Sequence, residues 1–462
     1  MLTYDLSERG SLPIYEYLAR RIRDDVLSGE LPAGERLPSK RALAEHLGVS
    51  VVTVEAAYAQ LEAEGCLLAR PRRGYFVAEA ARGPRSAPPQ PRAASPEEER
   101  PWALDLRGSR VDTSRFPVAA WARLTRQVLS DGGGALLSPV PHQGLRPLRQ
   151  AISDFLAGYK GMSAPPENIV VGAGAEFMYI LLAQLLGPGA AIAVEDPGYP
   201  KIRQVYSRSG ALCRPLPLDG GGVSLDALRA SGALALHISP SHQFPTGLVT
   251  PMPRRQALLR WARETGGYII EDDYDSELRF SGRPLPTLQS IDPAGRVVYM
   301  NTFSQTISPS MRIGYLVLPP ELMARWRREL GFYSCAVPAL EQHVLSRFLA
   351  GGHYERHLAR MRKEYRSLRS EVLSAFRGSP FARRISIDER GAGLHFLLHL
   401  DTDRPDAELR ERAASLGVHL AFLSDYAAAH SAPEHTLVIS YAALSRAQLP
   451  EAMELLSRVL EG

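Results

Sequence analysis

Tyr268-Ile269-Ile270-Glu271-Asp272-Asp273-Tyr274-Asp275 is the stretch on which the fold turns. A short apolar run passes directly into a knot of carboxylates, the pattern of a buried strand whose carboxyl end opens onto a polar crevice. Working outward, similar runs recur at Ile169-Val170-Val171, Ala191-Ile192-Ala193-Val194, Ala233 to Ile238, and Arg296-Val297-Val298-Tyr299-Met300. Stretches of helical periodicity separate most of them, which predicts an α/β domain on a largely parallel sheet from Trp102 onward. Beyond about Glu321 the pattern predicts one long helix. A smaller α/β subdomain, from about residue 325, follows with strands near Gly393–His399 and Leu437–Tyr441.

Composition sets the outer bounds. The chain has 462 residues, 45% hydrophobic and 23% charged, enough for two or three globular domains. It contains no apolar run long enough to span a bilayer, and Met1-Leu2-Thr3-Tyr4-Asp5 has neither the basic nor the apolar part of a secretory leader. Cys66, Cys213 and Cys335 are too scattered for a disulfide framework or a metal cluster. A cytoplasmic protein without a membrane partner is expected. The net charge of +4 is modest, but from Cys66 to Arg92 six arginines stand against the single acid Glu79. Such a stretch suits a phosphate backbone, or is a solvated linker.

The N-terminal part is helical. Ile14, Leu18, Ile22 and Val26 form one apolar stripe that closes at Ser28-Gly29. Pro38-Ser39 opens a second helix, stopped by Gly48, and Ser50 caps a third that carries Val54, Tyr58 and Leu61 and ends at Gly65. Two helices across the tight Gly48-Val49-Ser50 turn, followed by the hairpin Cys66 to Val77, predict a winged helix-turn-helix at residues 1–78. Candidate contacts to double-stranded DNA are Ser39, Lys40 and Arg41, then Ser50 and Thr53 on the recognition helix, and Arg72 and Arg73 on the wing. A small helical bundle would show the same periodicity without touching DNA. Residues 79–101, rich in Ala, Pro, Arg and Ser, are expected to be an extended linker.

The run Leu37-Pro38-Ser39-Lys40-Arg41-Ala42-Leu43-Ala44, with Leu47-Gly48-Val49-Ser50, Thr53-Val54, Ala57-Tyr58, Leu61-Glu62 and Gly65, is similar to the GntR-type winged helix. It departs at Val51, where arginine is common, and in a short wing with one glycine. A base contact at Val51 would be apolar, as against a thymine methyl. Several motifs from Trp102 onward, among them Gly172-Ala173-Gly174-Ala175-Glu176, Glu195-Asp196-Pro197-Gly198-Tyr199-Pro200, Ser239 to Gly247, Glu271 to Asp275, and Asn301-Thr302-Phe303-Ser304-Gln305 with Pro309, Arg312 and Gly314, resemble a fold-type I aminotransferase. Joined to that N-terminus they resemble the MocR-type regulators, in which such a domain, 102–462 here, senses an effector.

That resemblance implies a pyridoxal phosphate pocket. Asp272 would hold the ring nitrogen protonated, and Tyr274 would reach the ring 3-oxygen. Tyr199 would stack on the ring, or simply pack. Gly174 and Ala175 open a helix whose amides suit a phosphate, with Thr302, Ser304 and Arg312 completing the cup. Lys201 and His242 are candidate ligand contacts. The resemblance also implies a lysine that forms a Schiff base with the cofactor, and Gln305 stands at its place. A carboxamide cannot form that bond. Lysine occurs only at positions 40, 160, 201 and 363. Lys201 either offers charge to an anionic ligand or is a relocated Schiff-base lysine. No arginine lies between Arg412 and Arg446, where related enzymes often place the clamp for a substrate carboxylate. Three functions follow. One is a homodimeric regulator whose inactive sensor domain binds a small effector, whether noncovalent pyridoxal or pyridoxamine phosphate, a preformed amino-acid adduct, or a different ligand with no such cofactor. Another is a working aminotransferase with a DNA-binding arm. The third is a structural DNA-bound dimer with a vestigial pocket.

Overall fold

Hydroxyl caps set the register of the N-terminal helices. Helix α1 (Ile14–Ser28) precedes α2 (Lys40–Leu47), where Ser39 Oγ accepts the Ala42 amide, and α3 (Val51–Ala63), where Ser50 Oγ accepts the Thr53 amide. Gly48 ends α2 at φ 66°, a left-handed angle that a glycine adopts at little cost, and so makes the tight turn. Strands β1 (Leu67–Arg70) and β2 (Gly74–Val77) pair antiparallel as the wing. Leu18, Ile22, Leu43, Val54, Tyr58 and Leu61 close a core from which water is excluded. This is a winged helix-turn-helix built as the periodicity predicts.

The structure is a computed structural model that describes residues 2–79, 102–107, 112–280, 285–442 and 444–461. It divides into two units, Met1–Arg100 and Pro101–Gly462. All but Glu79 of the expected linker, including Arg82, Arg85 and Arg92, lies outside the described residues.

The second unit begins with β3 (Leu104–Asp105), α4 (Val118–Gly132) and α5 (Arg146–Lys160). Then come β4 (Ile169–Gly172), α6 (Ala175–Leu186), β5 (Ala191–Asp196), α7 (Pro200–Arg208), β6 (Leu212–Asp219), β7 (Gly222–Val223) and α8 (Leu225–Ala230). Strand β8 (Ala235–Ile238), helix α9 (Met252–Thr265) and strands β9 (Tyr268–Asp272), β10 (Val297–Thr302) and β11 (Gly314–Val317) complete the layer. The eight strands run in the order β4-β11-β10-β9-β8-β5-β6-β7, with β10, β9, β8, β5 and β6 parallel and β11 and β7 antiparallel to their neighbours. Every residue of β4, β8, β9, β10 and β11 is buried, which is why these strands are mostly apolar, with polar residues gathered toward the carboxyl ends of β9 and β10. This is the α/β architecture of fold-type I aminotransferases.

The tail departs from expectation. In place of one long helix there are three, α10 (Pro320–Glu329), α11 (Ala339–Ala350) and α12 (His353–Arg377). Pro338 offers no amide to continue a helix, and Gly352 sits at φ 64°, so the chain breaks at both places. A three-stranded antiparallel sheet of β12 (Ile385–Asp388), β13 (His395–Leu400) and β15 (Thr436–Ser440) follows, with α13 (Asp406–Ser415) and α14 (Leu449–Glu461). Strand β14 (Val418–His419) pairs with β3.

Candidate functional site

Asp272 is the last residue of β9, level with Met300 of β10, and is 4% exposed. Its Oδ2 accepts the Tyr179 hydroxyl at 2.9 Å and meets His237 Nε2 at 3.3 Å. Tyr206 Oη lies 2.8 Å from His237 Nδ1; with Nε2 carrying the proton toward the Asp272 carboxylate, Nδ1 accepts the Tyr206 hydroxyl. Asp272 Oδ1 is buried with no protein donor. A buried carboxylate oxygen without a donor carries a desolvation penalty, and a ligand N–H would relieve it.

Strands β4, β11 and β10 lie side by side with Gly172, Gly314 and Thr302 in register, so their ends define one edge of the sheet. At that edge Gly174, at φ 86°, leads into α6, whose first turn receives no side-chain cap. A Cβ on Gly174 would come within 2.7 Å of Arg312 Nη2, so the guanidinium packs on bare backbone. Arg312 is held by Glu176, whose other oxygen takes Lys201 Nζ at 3.0 Å. Burial raises the Glu176 pKa, but hydrogen bonds from Lys201 and Arg312 outweigh it and keep the carboxyl below its ordinary range. The hydrogen bond to Glu176 likewise raises Lys201. Thr302 is buried at the end of β10, and Ser304 and Gln305 are half-buried on the turn between Phe303 and Ile307.

Gln305 lines a cleft of about 40 Å³ with Phe244, Tyr274, Asp275, Leu394, His395, Ser440 and Ala442. None of these carries a primary amine or a guanidinium. Burial and the neighbouring His242 push His395 down to about 3, so at neutral pH its imidazole is uncharged. His242 is buried, with Nδ1 2.8 Å from Asp275 Oδ2 and 3.1 Å from the Tyr274 hydroxyl. Tyr199 meets Phe244 edge-on at 6.0 Å, and Phe244 meets Tyr426 at 5.1 Å.

Several contacts around the site have no signal in local sequence. Asp196, at the end of β5, accepts the amides of Ala428, Ala429 and His430 and meets His430 Nδ1, all within 2.9 Å, which pins that late segment beside Tyr199 and Tyr426. Lys160 is buried at the end of α5, with Nζ 2.5 Å from Asp273 and 2.8 Å from Glu277. Tyr299 donates to Asp273 and Asn301 to Glu277. Burial alone would depress the lysine, but these two carboxylates reverse the shift and raise it.

In the first unit Ser39 and Ser50 spend their hydroxyls on the caps, and Thr53 Oγ1 lies 2.8 Å from Ser50 Oγ. Lys40 is bound to Glu55 at 2.6 Å and lies over the Tyr75 ring. Arg41, Arg72 and Arg73 are exposed, and so are Val51 and Val52 at the start of α3, at 42% and 72%.

Residues 14–77 match the description "Bacterial regulatory proteins, gntR family", and residues 109–456 match "Aminotransferase class I and II". The chain is 34% identical over 459 residues to the HTH-type transcriptional regulator YdeL of Bacillus subtilis, covering 98% of each. It belongs to the MocR-type regulators of the gntR family. The regulatory protein MocR of Rhizobium meliloti, described as a probable regulator of rhizopine catabolism, is 32% identical over 97% of this regulator and 94% of its own length. Among solved structures the regulator is similar to LysN, the α-aminoadipate aminotransferase of Thermus thermophilus, complexed with N-(5'-phosphopyridoxyl)-L-leucine. That likeness has 28% identity and a TM-score of 0.66, and covers 78% of this chain and 92% of LysN. The regulator thus joins a DNA-binding winged helix to an aminotransferase-like domain. Among the described residues no helix is long and apolar enough to cross a membrane.

Proposed function

We propose that this transcriptional regulator senses a small ligand in its aminotransferase-like domain, 102–462, and does so without turnover. The observation that carries this reading is the Gln305 cleft, whose described lining offers no amine. Gln305 stands where an enzyme of this fold would carry its Schiff-base lysine. Lys201 does not replace it: its side chain is 54% exposed, held on Glu176 and kept protonated, and a protonated amine is no nucleophile.

The residues present fit a phosphopyridoxyl group. Asp272 Oδ1 awaits a donor, as a ring N–H would provide. The side-chain-free Gly174, the uncapped first turn of α6 and Arg312 suit a phosphate, with Thr302, Ser304 and Ala175 at the same edge of the sheet. Tyr199 and Tyr274 would flank the ring, and His242 would hold Tyr274 in place. When bound, the ring supplies an electron-withdrawing aromatic system. The chain itself binds and orients it but offers no amine there to shuttle a proton. A regulator needs only that the ligand bind two conformations with unequal affinity.

Ser39, Lys40, Arg41, Ser50, Thr53, Arg72 and Arg73 form the proposed DNA face within residues 1–78, with 79–101 as the linker. We place the regulator in the cytoplasm as a homodimer reading two half-sites. The strongly exposed Leu137, Phe332 and Val118 of the second unit supply apolar surface for self-association. The test is absorption and borohydride reduction of the protein mixed with pyridoxal phosphate. Bound ligand that remains extractable after reduction supports the proposal, and a phosphopyridoxyl group fixed to the chain, or measurable amino-group transfer, overturns it.

A further inference from the structure

Glu176 lies between the two cations that face the proposed phosphate cup. One carboxylate oxygen takes Lys201 Nζ at 3.0 Å and the other takes the Arg312 guanidinium, which packs over Gly174 at the opening of α6. A carboxylate bridging two cations at the uncapped start of a helix has the charge and the contacts of a bound anion. The half-exposed Arg312 commits its Nη2 to Glu176, so a phosphate that takes that edge of the guanidinium over Gly174 has to displace the carboxylate. The second sign of a ligand here is independent of these charges: the partnerless Asp272 Oδ1, buried at the end of β9.

We infer that Glu176 is an internal competitor for the anionic end of the ligand, and so sets the regulator's selectivity between phosphorylated and unphosphorylated ligands. The inference rests on the proposal that this cup receives a phosphopyridoxyl ligand. A phosphate entering the cup takes over Arg312, and Glu176 must then swing toward Lys201 or into solvent, which its half-buried position allows. Glu176 thereby weakens binding of any phosphate ester and leaves a neutral ligand untouched. It also confers a two-position element: Glu176 on Arg312 without ligand, and off Arg312 with it.

The test is calorimetric titration of the full-length protein with pyridoxal 5'-phosphate and, separately, with pyridoxal, which lacks the phosphate. Relative to wild type, Glu176→Gln should bind the phosphate ester roughly tenfold or more tightly, the usual worth of freeing one charge-assisted hydrogen bond, with pyridoxal affinity unchanged. Glu176→Ala, which removes the side chain altogether, should tighten binding in the same sense and guards against a folding artefact in one variant. If wild type binds the ester and both variants bind it equally well or more weakly, Glu176 is a mere scaffold for Arg312 and the inference is overturned while the ligand proposal stands. Tightening of both ligands alike overturns it too. If no form binds the ester, the inference and the ligand proposal fall together.

Discussion

Replacing Lys160 by methionine keeps an unbranched side chain, one atom shorter, and removes its charge. Lys160, Asp273 and Glu277 expose 7%, 1% and 1% of their side chains, so the change leaves two largely buried acids without their cation. At separations of 2.5 and 2.8 Å, each pair has a gross attraction of roughly 6 kcal/mol at an effective dielectric constant near 20. Desolvation of the ions and repulsion between the carboxylates offset most of that, and breaking a buried pair by deleting one partner leaves a loss of about 3–5 kcal/mol. The loss should depend on pH in a defined direction. In the wild type Asp273 sits below its ordinary range: burial pushes it up, but Lys160 outweighs burial. Its stabilising effect is therefore present above the unfolded carboxyl pKa and fades as the pH falls through the folded one. Without Lys160, burial is unopposed, Asp273 joins Glu277 above the ordinary range, and the folded variant takes up protons that the unfolded chain does not. Acid then stabilises Lys160→Met relative to wild type. All four tryptophans (Trp102, Trp121, Trp261 and Trp326) lie in the second unit, so urea unfolding followed by tryptophan fluorescence reports on that unit alone. The expected result is a loss of about 3–5 kcal/mol at pH 7, narrowing by at least about 1 kcal/mol toward pH 5. A loss below about 1 kcal/mol, of the size found for surface pairs, or one equal at both pH values, refutes the reasoning.

Three further outcomes are expected. Gln305→Lys returns an amine to the cleft and should yield a phosphopyridoxyl group fixed to residue 305 by borohydride, visible as a mass increase; an unmodified variant counts against the placement of Gln305. Asp272→Asn keeps the shape but removes the charge opposite a ring N–H, and should weaken pyridoxal phosphate binding by roughly 10–100-fold, while an unchanged Kd rules out Asp272 as the ring's partner. Arg72→Ala with Arg73→Ala should weaken DNA binding about equally across sequences and lower the slope of log K against log salt by roughly 0.9 for each phosphate that is no longer neutralised; altered base preference with an unchanged slope assigns them a different task.

Much of this was legible because burial on both faces of a parallel sheet forces its strands to read as apolar runs, and because serine caps and glycine stops mark helix ends locally. The motifs at the strand ends, Asp272 and Gln305 among them, were visible for the same reason. What escaped were partnerships between residues far apart in the chain. Nothing near Lys160 announces Asp273, and nothing near Asp196 announces the Ala428–His430 amides. The trio of Lys201, Glu176 and Arg312 likewise joins three separate motifs that the linear sequence does not connect. Amphipathic periodicity runs on through Pro338 and the Gly351-Gly352 pair, so the pattern predicts one helix where the proline and the left-handed Gly352 divide it.

The scarcity of lysine has a practical use. Lys40 opens helix α2 of the winged helix, Lys201 holds Glu176, Lys363 is exposed on α12, and Lys160 has a nearly buried, ion-paired side chain. An acylating reagent read out by peptide mass would follow operator occupancy at the first position and effector occupancy at the second. The third would serve as an internal standard, and the last would acquire label only in molecules that had come apart.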